Sequence, residues 1–238
     1  FMYGMYGYGY GYGLDPTIIL VLIGVALSLW AQGRVNSTFS RYSRVRSMTG
    51  MTGAEAARRL LNAQGIYDVT VQQIAGELTD HYDPRTKTVN LSQSVYGATS
   101  VAAIGVAAHE CGHAMQDNEG YAPLRFRSAL VPVANFGSSL SWPLILLGLV
   151  FGGLGSPLVE IGILMFSLAV LFQLVTLPVE YNASARAVRL LDAQGILAGE
   201  EVNGTRKVLN AAALTYVAAA ATSILQLLRL IILFGGRN

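Results

Sequence analysis

Residues 99–118 read TSVAAIGVAAHECGHAMQDN. Thr99 and Ser100 are N-cap residue types, and Gly120 and Pro123 stand just past the other end. The spacing therefore predicts a helix ending near Asn118. Its first half, VAAIGVAA, is apolar on every side, which predicts a buried helix. Its second half carries His109-Glu110-Cys111-Gly112-His113, an HExxH match. Residues four apart share one helix face, so both imidazoles can bind one zinc while Glu110 stands beside the metal's water. Burying two histidines and a glutamate without a task would carry a large desolvation cost. Cys111 lies off the shared face of His109 and His113 and is expected to pack as a small apolar residue.

Outside this stretch the chain is strongly apolar. Of 238 residues, 53% are hydrophobic and only 13% charged, with a mean hydropathy of +0.45. That charged share is about half the usual one, which excludes an ordinary soluble enzyme as well as a disordered chain. A net charge of +2 gives no nucleic-acid footprint, and a single cysteine excludes an intrachain disulfide. Four runs are long and apolar enough to span a bilayer: residues 16–32, two within the hairpin 128–178 (about 130–151 and 157–178), and 211–234. The last begins alanine-rich, like a buried soluble helix, and carries Arg229 near its end, where the side chain can snorkel to the headgroups.

Basic residues set the expected orientation. Of the 16, ten fall between the first and second runs and four between the third and fourth, while the short loop at 152–156 has none. By the positive-inside rule both basic regions are cytoplasmic, in a cell (inner) membrane, with the N-terminus outside. A cleaved signal peptide fits the first run poorly, because no basic stretch precedes it. The Tyr/Gly-rich tail at residues 1–15 reads as a low-complexity segment whose tyrosines sit at the membrane interface.

Residues 33–127 form the water-facing α+β unit, and residues 179–210 return to the same side as helices. Thr52 and Glu55 make a capping box, and the helix it starts is expected to stop at Gly65. Short strands are expected at 67–71, 77–82 and 88–91. ARRLLNAQGI at 57–66 and AVRLLDAQGI at 187–196 agree at eight of ten positions. Both are read as helix ends stopped at glycine.

A catalytic zinc needs a third protein ligand and one open position. No histidine follows His113, which excludes the longer HExxHxxGxxH pattern. Topology orders the remaining acids. Two spans carry the chain out and back, and the first acid met on its return is Glu180. Asp117 lies a turn too far along the helix, and Glu160 lies on the wrong side of the membrane. A salt bridge from Glu180 to Arg186 or Arg189 is the competing use of that carboxylate. His81, on an expected edge strand able to hold an extended peptide, is a candidate to stabilise the oxyanion. The plainer role is a surface histidine hydrogen-bonded to Asp80 or Asp83.

GELTDHYDPRTKTVNLS at 76–92, VAAHECGHAMQ at 106–116, two spans and then PVEYNASARA at 178–187 together resemble the YugP-type neutral zinc metallopeptidases of bacterial membranes. The resemblance runs from about residue 49 to 191. More distantly, the layout is similar to that of the HtpX-type membrane proteases. It implies an α-helical membrane protein of about four transmembrane helices with a small α+β gluzincin-like cytoplasmic zinc-peptidase domain. It also implies zinc ligands at His109, His113 and Glu180, with Glu110 as the general base. In the HtpX pattern an aspartate stands four residues after the ligand glutamate, where this chain has Ser184. Asn182 or Ser184 is left to supply the hydrogen bond that orients a ligand histidine.

The expected function is hydrolysis of peptide bonds in membrane or membrane-proximal proteins. Zinc is the expected cofactor, and the expected partners are a peptide or protein substrate and the lipid bilayer, with no nucleic acid. A regulatory membrane protein and a homo-oligomer both stay open. The alternative is a non-proteolytic membrane scaffold or accessory subunit with a structural zinc. A latent protease held shut by a partner has the same sequence signature.

Overall fold

The computed structural model describes residues 15–153 and 155–235. The tail at residues 1–14 therefore lies outside the described residues. Seven helices and a small sheet follow in the order α1 (Ile18–Ser43), α2 (Gly53–Ala63), β1 (Thr70–Ile74), β2 (His81–Asp83), β3 (Thr88–Ser92), α3 (Gln93–Tyr96), α4 (Val101–Asn118), α5 (Ala122–Gly152), α6 (Pro157–Ala193) and α7 (Glu200–Phe234). Helices α1, α5, α6 and α7 are each long and apolar enough to cross a membrane. They carry exposed large apolar side chains, among them Leu29, Trp30, Phe136, Val150 and Leu164. Water disfavours such a surface and hydrocarbon does not.

The long helices exceed the apolar runs. α1 continues from the first run through residues 33–43, α6 continues past Pro178 to Ala193, and α7 begins at Glu200, before the fourth run. In α1 and α7 no proline stands at the junction, so the backbone hydrogen-bond ladder carries from the apolar part into the polar part; in α6 Pro178 has no N–H for one ladder bond, yet the helix continues through it. α5 starts earlier than the expected span because Pro123 opens it in the first turn, where its missing N–H costs nothing.

The sheet and the shorter helices gather around α4, which packs against α2, α6, α7 and the sheet. Fourteen of its eighteen residues are buried, and Ser100 caps it by accepting from the Ala103 N–H at 3.2 Å. Leu60, Leu61, Val89, Leu91, Ile104, Leu191 and Ile196 fill the core around it. The capping box of α2 is complete, with Thr52 Oγ1 accepting from Glu55 N at 3.2 Å and Glu55 Oε2 accepting from Thr52 N at 2.8 Å.

The near-repeat is one helix stop used twice. Gly65 (φ +69°) and Gly195 (φ +60°) adopt the left-handed conformation. Ile66 donates to Leu61 O at 2.9 Å and Ile196 to Leu191 O at 3.0 Å, the long hydrogen bond of a Schellman motif. The two stops touch, because an Arg59 guanidinium nitrogen donates to Gln194 O at 2.8 Å.

The sheet order is β1-β3-β2, with β1 parallel and β2 antiparallel to β3. β2 is thus an edge strand. All three strands differ from their expected bounds, β3 by a single residue at its end, Ser92. β1 lies three residues later, in register Thr70↔Thr88 to Ile74↔Ser92. β2 shrinks to three residues, because Gly76 (φ +101°) and Leu78 (φ +55°) turn the chain away from extended geometry. Asp80 then ties this turn to β3, accepting from Ser92 N at 2.7 Å and Ser92 Oγ at 2.9 Å.

Candidate metal centre

α4 and α6 cross beside the HExxH residues. At the crossing, Gly112 lies against the Ala183 backbone. His109 and His113 project from α4, and Glu180 from α6, and their ligand atoms all lie within 4.8 Å of one another. Glu180 Oε2 is 3.2 Å from His109 Nε2 and 3.5 Å from His113 Nε2. A tetrahedral ion with bonds of about 2.0–2.1 Å needs ligand atoms about 3.3 Å apart, so these residues fit zinc. The two rings stand edge to face, with centroids 4.7 Å apart.

The outer nitrogens of both rings are engaged, which leaves Nε2 free to ligate. Both amide hydrogens of Gln116 are spent, on Val179 O and Asn182 Oδ1, each at 2.9 Å. Gln116 Oε1 therefore faces His113 Nδ1 at 3.0 Å and accepts a hydrogen bond from its N–H. Ser184 Oγ lies 3.1 Å from His109 Nδ1. Asn182 acts one step further out, accepting from Gln116 and also from Arg186 Nε at 2.7 Å.

Glu180 is buried. Burial alone would raise its carboxyl, but hydrogen bonds from His109 and His113 outweigh that and hold it well below the usual carboxylate range. Burial works against charge on His113 too, and here the Glu180 hydrogen bond and the charges of Glu110 and Glu180 raise it instead. Glu180 Oε1, on the far side from the histidines, is 3.2 Å from an Arg127 guanidinium nitrogen of α5. Arg186 pairs with Glu119 at 2.6 Å rather than with Glu180. Arg127, rather than Arg186 or Arg189, is thus the arginine that pairs with Glu180.

Glu110 sits beside the triad with its Oε2 accepting from the Tyr82 N–H at 2.9 Å. That N–H belongs to β2, whose outer edge therefore faces the site. Tyr82 Oη donates to Asp117 at 2.8 Å, so Asp117 is engaged away from the metal position. His81 lines the same cleft. Its ring meets Thr79 O at 2.8 Å and the Asn90 amide at 3.2 Å, and neither Asp80 nor Asp83 is its partner. Cys111 is buried with its thiol 3.6 Å from Ala57 O, and burial pushes the thiol pKa up.

Two cavities flank the triad. One, of about 260 Å³, lies between β2 and the start of α5. The other, of about 340 Å³, reaches Gln32 and Val35 of α1 and Ala212 of α7. Tyr216 of α7 lines both, beside His109, Glu110 and Glu180. Sequence reading missed Gln116, Arg127 and Tyr216. Only Gln116 had a local signal, being three residues from His113 on the same helix face.

Residues 17–235 match the family described as "Putative neutral zinc metallopeptidase". The chain belongs to this family. It is also 49% identical over 222 residues to the "Putative membrane protease YugP" of Bacillus subtilis (strain 168), a match covering 93% of this chain and 98% of that protein. No solved structure matches. The neutral zinc metallopeptidase family and its membrane relative agree with a chain that gathers two histidines and a glutamate beside four membrane-length helices.

Proposed function

We propose that this chain is a zinc-dependent endopeptidase of the inner membrane that cleaves membrane or membrane-proximal proteins on the cytoplasmic side. The convergence of His109, His113 and Glu180 within 4.8 Å, with Glu110 turned to the same cleft, carries the reading. Bound there, zinc supplies Lewis acidity and a water with a pKa near 7. Glu110 takes the proton of the attacking water and returns it to the leaving amide nitrogen. The Tyr82 N–H holds the Glu110 carboxylate in place for this. No strand pairs with the outer edge of β2 among the described residues, so an extended peptide can lie along it beside the Tyr82 N–H that Glu110 accepts from. His81, on that edge, becomes a donor to the carbonyl oxygen as it turns into an oxyanion only when its ring turns from Thr79 O and the Asn90 amide to the substrate. Ser184 and Gln116 orient the ligand rings, and Asn182 orients Gln116.

The membrane-proximal substrate is supported by the second cavity, which leads from the triad to the end of the first apolar run at Gln32. The test is Glu110→Gln in detergent-purified protein. We expect unchanged zinc content and loss of cleavage of a membrane-anchored reporter by at least about a hundredfold, as general-base loss implies. Zinc retained by a wild-type protein that cleaves nothing would move the structural-zinc scaffold ahead. Equal cleavage of soluble unfolded chains would remove the membrane-substrate part.

A further inference from the structure

Another cavity lies away from the metal centre. It holds about 690 Å³ between α1 and α7, with Tyr181 of α6 at its side. Three cations line it, Arg34 and Arg41 from α1 and Lys207 from α7, together with the hydroxyls of Ser37, Thr38, Tyr42 and Tyr181 and the amide of Asn210. No acidic residue lines it. Among the described residues, none of the three cations pairs with a carboxylate, and all three are exposed.

The depth of this cavity is fixed by how α1 and α7 pack. The helices run antiparallel. Arg229 pairs with Asp15 at 3.2 Å, Thr222 Oγ1 donates to Gly24 O at 3.1 Å, and Gly204 leaves room for the Tyr42 ring, which would lie 2.7 Å from a Cβ there. The cavity lies between the last two contacts. Arg34 is the first charge after the apolar run of α1, and Lys207 is the last before the apolar run of α7. Both helices therefore change from apolar to basic at one level, the level of lipid headgroups.

The cavity is also graded. Arg41, Tyr42 and Lys207 lie toward the Gly204–Tyr42 contact, while Ala211 and Leu214, with Arg34 across from them on α1, lie toward the bilayer side. A free phosphate would use only the cations and hydroxyls. A phospholipid would use both, with the phosphate among cations and hydroxyls and the glycerol and first methylenes against Ala211 and Leu214. We propose that this is a built-in site for one anionic phospholipid, which bridges α1 and α7 at the membrane surface on the same face as the metal centre. Its recognition chemistry is a phosphate monoanion held by convergent cations and hydroxyl donors. The site is separate from the hydrolytic reading, and loss of either leaves the other intact.

The test uses full-length protein in nanodiscs of phosphatidylcholine containing a titrated fraction of phosphatidylglycerol, with bound lipid counted by native mass spectrometry. Wild type should retain about one phosphatidylglycerol per chain. Arg41→Gln with Lys207→Gln should weaken retention about tenfold or more, and Lys207→Glu alone should do the same from the α7 side. A control pair of equal charge change, Arg44→Gln with Arg46→Gln, lies next to the cavity and should change retention less than twofold. Unchanged zinc content reports that the variants fold. Equal loss in the cavity and control pairs would overturn the site in favour of diffuse surface attraction. Binding of inorganic phosphate or an acidic peptide at the same residues, with no preference for phosphatidylglycerol, would overturn the lipid assignment.

Discussion

Gly112 of α4 and Ala183 of α6 approach so closely that a Cβ on Gly112 would lie 2.5 Å from the Ala183 carbonyl oxygen. The contact is backbone against backbone, so no side chain can swing aside to relieve it. It sits between the two ligand histidines on one helix and between Glu180 and Ser184 on the other. The glycine inside HExxH therefore sets the spacing across which His109, His113 and Glu180 could share one ion. Gly112→Ala should push the helices apart, costing about 1–3 kcal/mol as overpacking does and weakening zinc binding as well. Gly33→Ala is the control, since nothing lies within 4 Å of a Cβ there. It should stabilise slightly, as Gly→Ala in an exposed helix does, by about 1 kcal/mol at most. Thermal unfolding and zinc titration of the two variants read both effects. Equal stability and zinc affinity in the two would show that the crossing does not hold the site.

Gln116 and Arg127 hold the ligands from opposite sides. Gln116 fixes the His113 ring from α4, and Arg127 holds the Glu180 oxygen that faces away from the histidines. Such outer contacts are typically worth about 10–100-fold in metal affinity. Gln116→Ala and Arg127→Ala should each lose zinc affinity in that range, and Gln116→Glu should recover part of it because a carboxylate still accepts from Nδ1. Competition with a zinc-binding dye measures this. An Arg127→Ala protein with undiminished affinity would mean that the guanidinium serves only packing.

Much of this arrangement can be read from the residues in order, and the rest cannot, for physical reasons. The HExxH face needs only the helical period. Glu180 follows from counting membrane crossings, because a hairpin must return the chain to its starting side. Arg127 has no such signal. It lies far from Glu180 in sequence, and only the packing of α5 on α6 brings them together. Tyr216 is hidden the same way, inside an alanine-rich run that looks featureless in one dimension. The strand bounds were misplaced because alternation around Val69 and Val71 reports two faces, not pairing partners. The parallel pairing of β1 with β3 chose the register instead. The interfacial cavity needed the antiparallel register of α1 and α7, which places Lys207 opposite the arginines of α1.

Orientation is open to direct measurement. The basic segments flanking α4 and the start of α7 are expected on the cytoplasmic side, and the α5–α6 turn outside. An alkaline phosphatase fusion after residue 153 should be active, and one after residue 120 inactive. A fluorescent-protein fusion should give the opposite pattern. Activity of the residue-120 fusion would invert the proposed topology and place the metal centre outside the cytoplasm.

Metal removal separates a site that completes the fold from one that only uses it. The core of Leu60, Leu91, Ile104 and Leu191 is made of apolar side chains away from the metal position, and Glu180 contacts both histidines and Arg127. Chelation should therefore leave the helical circular dichroism intact while lowering the unfolding midpoint. Zinc added back to a hundred times its Kd should restore about 2.7 kcal/mol, the gain expected from binding to the folded state alone. In Glu180→Ala the same zinc concentration should restore far less, because two histidines remain and the buried acid that joins α6 to the ion is gone. A chelated protein that loses its helices would show that zinc is needed to fold the α4–α6 crossing. A wild-type protein indifferent to both chelator and zinc would remove the metal from the site altogether.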